Sequence, residues 1–382
     1  MPPPATSPST SPPRRRGLLT RTGFRLPFLL AGGLALLGGL DAGLALLGLP
    51  PLYFGGRLAE VHGPLMVLGF VGTLISLERA VALGHRWGYA APVISGLGAV
   101  ATLLGLGSGP MLLVLAQGLT LLVYRALAAR HAAAYLSVQL LGQTLALAAA
   151  FMWWLGLPMP AVVPWFVGFL VLTIWGERIE LSRFGGPGRH AELLALWGVG
   201  LVTVAVVTTL VWPPVGFTIL GVALLAVAGW LFRYDVARRT INATGLPRFI
   251  AGCLLVGYGW LAVSGGVWAL GGNVTGRGYD AAVHAVLLGF VLTMIMAHAP
   301  VIMPAVLRRP LPYHPSFIVP AVLLQASLLL RLAVGDAHDL TWALRWGGAL
   351  NVTAVLAFIA VAAVAAGRAG TTTEHTAPRE KV

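Results

Sequence analysis

The sequence predicts an all-α polytopic membrane protein with twelve transmembrane helices and both termini cytoplasmic. Three observations carry this. The 382 residues are 58% hydrophobic and only 10% charged, with a mean hydropathy of +0.86, which is outside the range of soluble domains. Apolar stretches long enough to span a bilayer recur from about residue 26 to residue 366. The basic residues alternate in density from loop to loop as the positive-inside rule requires.

Residues 1–25, MPPPATSPSTSPPRRRGLLTRTGFR, are rich in Pro, Ser and Thr and then basic, the composition of a disordered cytoplasmic tail. A cleaved signal peptide is the alternative. However, the following apolar run of about 23 residues is long for a signal core, and no small-x-small site follows it. Residues 26–366 form the membrane domain, with helices expected near 26–49, 60–83, 88–106, 109–128, 131–155, 159–176, 190–212, 214–232, 247–270, 280–305, 315–333 and 342–366. Residues 367–382 form a second cytoplasmic tail. In this arrangement the inner segments carry 21 Lys and Arg, and the outer loops carry four: Arg57, Arg277, Arg331 and Arg345. The expected location is a bacterial-type inner (cytoplasmic) membrane, crossed many times.

The net charge of +13 does not point to nucleic acid, because the basic residues sit in short loops between apolar spans, where they set topology. A single cysteine, Cys253, excludes disulfides, CxxC zinc sites and CxxCH haem attachment. No nucleotide-binding or hydrolase motif is present. Asp41, Gln139, Gln143 and Asn351 lie inside expected helices, where interhelical hydrogen bonding is the economical role.

A short motif returns every fourth helix. Helix 2 reads GFVGTLISLER (69–79), helix 6 reads GFLVLTIWGER (168–178) and helix 10 reads GFVLTMIMAHA (289–299). An even interval makes the copies parallel and suggests three four-helix arcs about a pseudo-threefold axis, unlike the inverted repeats of many transporters. His62 opens helix 2 and His284 lies near the start of helix 10, so both are expected near the outer surface. At about 100° per residue the two imidazoles leave the common frame roughly 160° apart, and their depths differ by about 3 Å. Two histidines leaving by opposite flanks of neighbouring helices could share one ligand; the competing reading is a structural role, each an interfacial histidine bonded to a neighbouring backbone carbonyl.

Twelve helices in three arcs, with helices 2, 6 and 10 innermost, resembles the architecture of heme-copper oxidase subunit I. In that family one histidine on helix 2 and one on helix 10 hold a low-spin haem, and His62 and His284 match those positions. The NnrS-type haem membrane proteins, associated with nitric oxide response, are also similar. Their helix 2 opens His-x-His-Glu-Met, and residues 62–66 here read His-Gly-Pro-Leu-Met, so His62 and Met66 match while Pro64 and Leu65 do not. The resemblance implies haem b between helices 2 and 10, with electron transfer or nitric oxide handling as the function. It also implies a quinol or redox protein as partner, and Arg57 and Arg277, with Arg331 and Arg345, as candidates for the haem propionates. The histidines that build the binuclear reductase centre of heme-copper enzymes are missing from helices 6, 7 and 10, which argues against oxidase or NO reductase activity.

His298 falls on the repeat position of Glu78 and Glu177. If the arcs hold, these three residues sit at one depth near the inner end, where they could bind a second metal or relay protons. The competing reading is that Glu78–Arg79 and Glu177–Arg178 are interfacial charges paired locally. A different class of function, a cofactor-free transporter or channel, would line its path with this same Glu/Glu/His group.

Overall fold

In lipid every backbone polar group must find its partner inside the chain, so an apolar sequence of this kind has helices as its economical solution. The computed structural model describes residues 22–52, 56–131, 133–182, 188–307 and 311–375, and among them there is no strand. The expected disordered tail lies outside the described residues up to position 21, and α-helix begins at Thr22. At the other end, helix continues through the first part of the expected tail, to His375.

The principal helices are α1 (Arg25–Leu46), α2 (Leu58–Leu83), α3 (Ala90–Leu103), α4 (Ser108–Arg130), α5 (Ala134–Trp154), α6 (Met159–Ser182), α7 (Gly188–Val211), α8 (Pro213–Tyr234), α9 (Leu246–Gly271), α10 (Gly276–Pro304), α11 (Pro315–Asp336) and α12 (Thr341–Arg368). Eleven of them are long and apolar enough to cross a membrane. The exception is α3, which has 14 residues and is preceded by a 3-10 turn, Arg86–Tyr89. All twelve expected elements are present, with ends shifted by a few residues. Local chemistry sets several of those ends. Gly84 adopts φ 68 after α2 and donates its N–H to the Ala80 carbonyl, closing the helix as a left-handed cap. Pro213 and Pro247 stand at the first turns of α8 and α9, where a missing N–H costs nothing.

Consecutive helices pack side by side, and α6 lies at the centre. Within its most apolar window 72% of residues are buried, against 33% for α7 and 22% for α12. One large core cluster joins Val67 and Leu68 of α2, Phe166 and Phe169 of α6, and Val286 and Phe290 of α10. The α8–α9 contact is close because both sides are glycine. A Cβ on Gly221 would stand 2.1 Å from the Ala269 backbone nitrogen, and one on Gly265 would stand 2.9 Å from the Gly221 oxygen. Large apolar side chains such as Trp197, Val211 and Leu270 remain exposed around the outside, as lipid contact allows.

The scattered polar residues inside the helices largely serve packing. Gln143 of α5 donates to the Gln117 side-chain oxygen of α4 at 2.9 Å, and Asn351 of α12 donates to Ser327 of α11 at 2.7 Å. Asp41 accepts the backbone N–H of Leu52 and so ties down the segment after α1.

Candidate functional site

His62 and His284 line one cavity of about 580 Å³, whose wall also includes parts of α1, α6, α11 and α12. Its lining is mainly apolar, for example Met66, Phe70, Phe166 and Val291, and its polar groups gather beside the two histidines. A volume of this size falls within the range of pockets that enclose cofactors and other small ligands.

Each histidine is held through one ring nitrogen. His62 Nδ1 lies 2.7 Å from the Gly39 carbonyl of α1, so it carries the proton and donates it. His284 Nδ1 lies 2.9 Å from the Asp280 carbonyl one turn earlier in α10, and 3.0 Å from Asp280 Oδ1. In both rings this fixes the tautomer that leaves Nε2 without a proton, although His284 Nε2 also has Arg331 Nη2 at 3.3 Å. That is the usual preparation of a metal-ligating histidine, whose other nitrogen is tied to a carbonyl or carboxylate. Gly43 makes room for the first ring, since a Cβ there would stand 3.2 Å from His62 Cε1.

The helices are not regular around these histidines. Leu65–Val71 in α2, Ala285–Leu292 in α10 and Leu330–Asp336 in α11 are π-helical. All three contribute to the cavity wall, through Met66, Leu288 and Arg331 among others. By contrast α6, the copy of the repeat without a histidine, is α-helical from Met159 to Ser182. The wider turn weakens the regular hydrogen-bond ladder, and side chains support it. Thr73 donates to the Gly69 carbonyl at 2.6 Å, and Thr293 donates to the Leu288 carbonyl at 3.3 Å while accepting from Gln325 at 3.0 Å. The π turns overturn one sequence expectation: the angle of about 160° and the offset of about 3 Å assumed α-helical pitch between each histidine and its Gly-Phe pair. In both helices that stretch closes through i→i+5 bonds instead, so the figures do not apply.

The arginines expected at a propionate are already engaged. Arg277 lines the cavity but donates to Asp339 at 2.9 Å and Thr341 at 3.1 Å. Arg345 donates to the Leu47 carbonyl at 3.1 Å, joining α12 to the end of α1. Arg331, also on the cavity wall, is buried and forms a two-pronged pair with Asp280, at 2.8 and 3.0 Å. The Arg57 side chain lies outside the described residues. Sequence reasoning missed Asp280, although its place four residues before His284 puts the two side chains on one helical face.

At the opposite end of the same three helices, Glu78 and Glu177 share Arg79, while His298 meets Arg178. Arg79 Nη2 bonds Glu78 at 2.8 Å and Glu177 at 3.4 Å. Its Nη1 donates to Gln139 at 3.4 Å, and its guanidinium lies 5.5 Å from the Tyr124 ring centroid. Arg178 Nη2 lies 3.2 Å from His298 Nε2, and His298 Nδ1 lies 2.7 Å from the Met294 carbonyl. Among the described residues no group of three or more His, Cys, Asp or Glu side chains is placed to hold a metal ion. The Arg79–Glu177 pair joins α2 to α6, the Arg79–Glu78 pair is local to α2, and the arginine–histidine bond joins α6 to α10.

Fold and sites together define an all-α, multi-pass membrane protein with a cavity furnished by two histidines. A family model described as a domain of unknown function (DUF8744) matches residues 25–367, and the chain belongs to that family. No curated protein and no solved structure matches it.

Proposed function

We propose that this chain is an integral-membrane b-type haem protein that acts in electron transfer or in nitric oxide response. In this reading His62 and His284 hold a low-spin haem near the outer surface. The observation that carries it is the pair of histidines on two copies of the repeat, both lining one cavity, each with Nδ1 donating to oxygen and Nε2 unprotonated. The donor set fits the group, because two neutral imidazoles are the axial ligands of a six-coordinate iron and the surrounding wall is apolar. Bound there, haem would supply one-electron chemistry.

The chain's own contribution is to orient the rings and exclude water. Gly39 and Asp280 fix the tautomers, Gly43 admits the His62 ring, and Phe70, Phe166 and Val291 form a dry wall. The helices that lack histidine at the matching positions argue, as the sequence does, against a binuclear oxygen- or NO-reducing centre. Twelve spans in three arcs, with α2, α6 and α10 innermost and both termini cytoplasmic, suit this reading. Its supports are the deep burial of α6, the links from α2 to α6 and from α6 to α10, and the excess of basic residues on one side. A bacterial-type cytoplasmic membrane is the natural setting, with a quinol or a redox protein as electron partner.

A cofactor-free transporter with its path through Glu78, Glu177 and His298 gains little from an end where arginines already occupy those side chains. The test is a reduced-minus-oxidised absorption spectrum of the purified protein from haem-replete cells. A b-type signal lost in both His62→Ala and His284→Ala supports the assignment, and absence of the signal from the wild type removes it.

A further inference from the structure

The two histidines are prepared differently. His62 donates its Nδ1–H to a neutral backbone carbonyl, that of Gly39. His284 donates into an oxygen pair belonging to Asp280, the carbonyl at 2.9 Å and the carboxylate Oδ1 at 3.0 Å. The carboxylate is held in turn by Arg331 of α11, Nε to Oδ2 at 3.0 Å and Nη2 to Oδ1 at 2.8 Å. This fork fixes the plane and position of a carboxylate, which a lysine cannot do. Arg331 Nη2 also lies 3.3 Å from both His284 Nδ1 and His284 Nε2. A point equidistant from the two ring nitrogens is off the lone-pair axis of Nε2. The guanidinium therefore packs against the ring away from the Nε2 lone-pair axis.

We propose that Asp280 and Arg331 are positioning residues for His284 and make the two axial ligands inequivalent. Asp280 draws on the Nδ1–H and makes Nε2 the stronger donor, while Arg331 fixes both the carboxylate and the plane of the ring. The inference rests on the haem reading of the site. A stronger imidazole donor favours the oxidised, more positive iron, so the pair lowers the midpoint potential. It also sets the angle of one ligand plane without touching the other.

Two measurements on the full chain in nanodiscs test it. The first needs no haem: in protein labelled with ¹⁵N-histidine, the His284 Nδ1–H proton, assigned by its loss in His284→Gln, lies downfield of an ordinary imidazole N–H. In Asp280→Asn it moves upfield while the His62 signal stays. The second is a redox titration with low-spin electron paramagnetic resonance on the haem-loaded protein. Asp280→Asn raises the midpoint potential with haem still bound. Arg331→Lys, which keeps the charge and loses the fork, alters the ligand-plane signature. An unmoved His284 proton in Asp280→Asn overturns the proposal, as does an unmoved potential with haem retained. A wild type without a b-type spectrum removes the haem reading and with it the redox role, whereas the proton shift then decides separately whether Asp280 and Arg331 prepare His284.

Discussion

The two ends of α2, α6 and α10 carry the same kinds of polar residue and use them in opposite ways. At the histidine end, imidazoles are pinned by one nitrogen and present the other to a cavity of about 580 Å³. At the glutamate end, Arg79 and Arg178 reach into the group, so carboxylate, guanidinium and imidazole satisfy one another. Buried charge is costly unless it is paired, and the glutamate end pairs its charges within the chain, although Arg79 Nε and Arg178 Nε have no hydrogen-bond partner among the described residues. The histidine end keeps ring nitrogens in reserve. Similar polar residues in membrane helices thus line a cavity at one end and bond helix to helix at the other.

The largest expected effect is at the histidine end. His62→Ala or His284→Ala abolishes the b-type spectrum while leaving expression and the elution profile close to wild type, read by absorption and size-exclusion chromatography. A variant that kept a full signal would break the contrast between the two ends.

At the glutamate end the largest effect is on stability. Arg79→Ala leaves two partly exposed carboxylates near one another without their shared arginine, at a cost of about 1–3 kcal/mol. Thermal unfolding in detergent reads this loss. Glu177→Gln removes one of two carboxylates and leaves the arginine bonded to Glu78, so it is milder and changes neither the haem spectrum nor the metal content. A change in bound metal in Glu177→Gln would show that this end is a site after all.

A smaller effect sharpens the geometry of the cavity. Gly43→Ala places a methyl group 3.2 Å from His62 Cε1, tighter than an ordinary contact. The ring must shift, at a cost of about 1–3 kcal/mol for overpacking, and haem occupancy falls more than thermal stability does. Occupancy is read as the ratio of haem to protein absorbance. Equal occupancy in Gly43→Ala would mean that the His62 position is not critical.

The smallest effect lies outside the spans. Asp235, just after α8, accepts the Ala237 backbone N–H at 2.7 Å. Burial pushes its carboxyl above the usual range, and the nearby Arg178 and the Ala237 N–H pull it part of the way back. An acid whose folded pKa is raised favours the folded state fully below the ordinary carboxylate range, and that share is lost as pH rises from there through the raised value. Asp235→Asn therefore flattens the decline of stability over that window, measured by unfolding at several pH values.

Much of the architecture is legible in the sequence, because lipid imposes a length and a polarity on every span. A helix lies at each expected apolar run, and eleven of these helices are long and apolar enough to cross a membrane. The site is legible in part. His62 and His284 stand out as imidazoles at matching ends of repeated helices, and Glu78, Glu177 and His298 as matching positions at the other end. Two features are not legible. The π turns after His62 and His284 depend on packing against α1, α9 and α11 and on support from Thr73 and Thr293. Without them a phase count at α-helical pitch goes astray. The Asp280–Arg331 fork joins residues 51 apart on different helices. Only the local half, Asp280 one turn before His284, leaves a mark in the sequence. At the glutamate end Arg79 bonds its neighbour Glu78, the local pairing the sequence offers, whereas Arg79–Glu177 and Arg178–His298 cross between α2, α6 and α10, which spacing alone does not encode.

The most direct test of the central claim is the reduced-minus-oxidised absorption spectrum of the purified wild-type protein from haem-replete cells, with haem quantified against protein. A low-spin b-type signal at close to one haem per chain is the expected result. Protein that is folded, monodisperse and free of any such signal would contradict it.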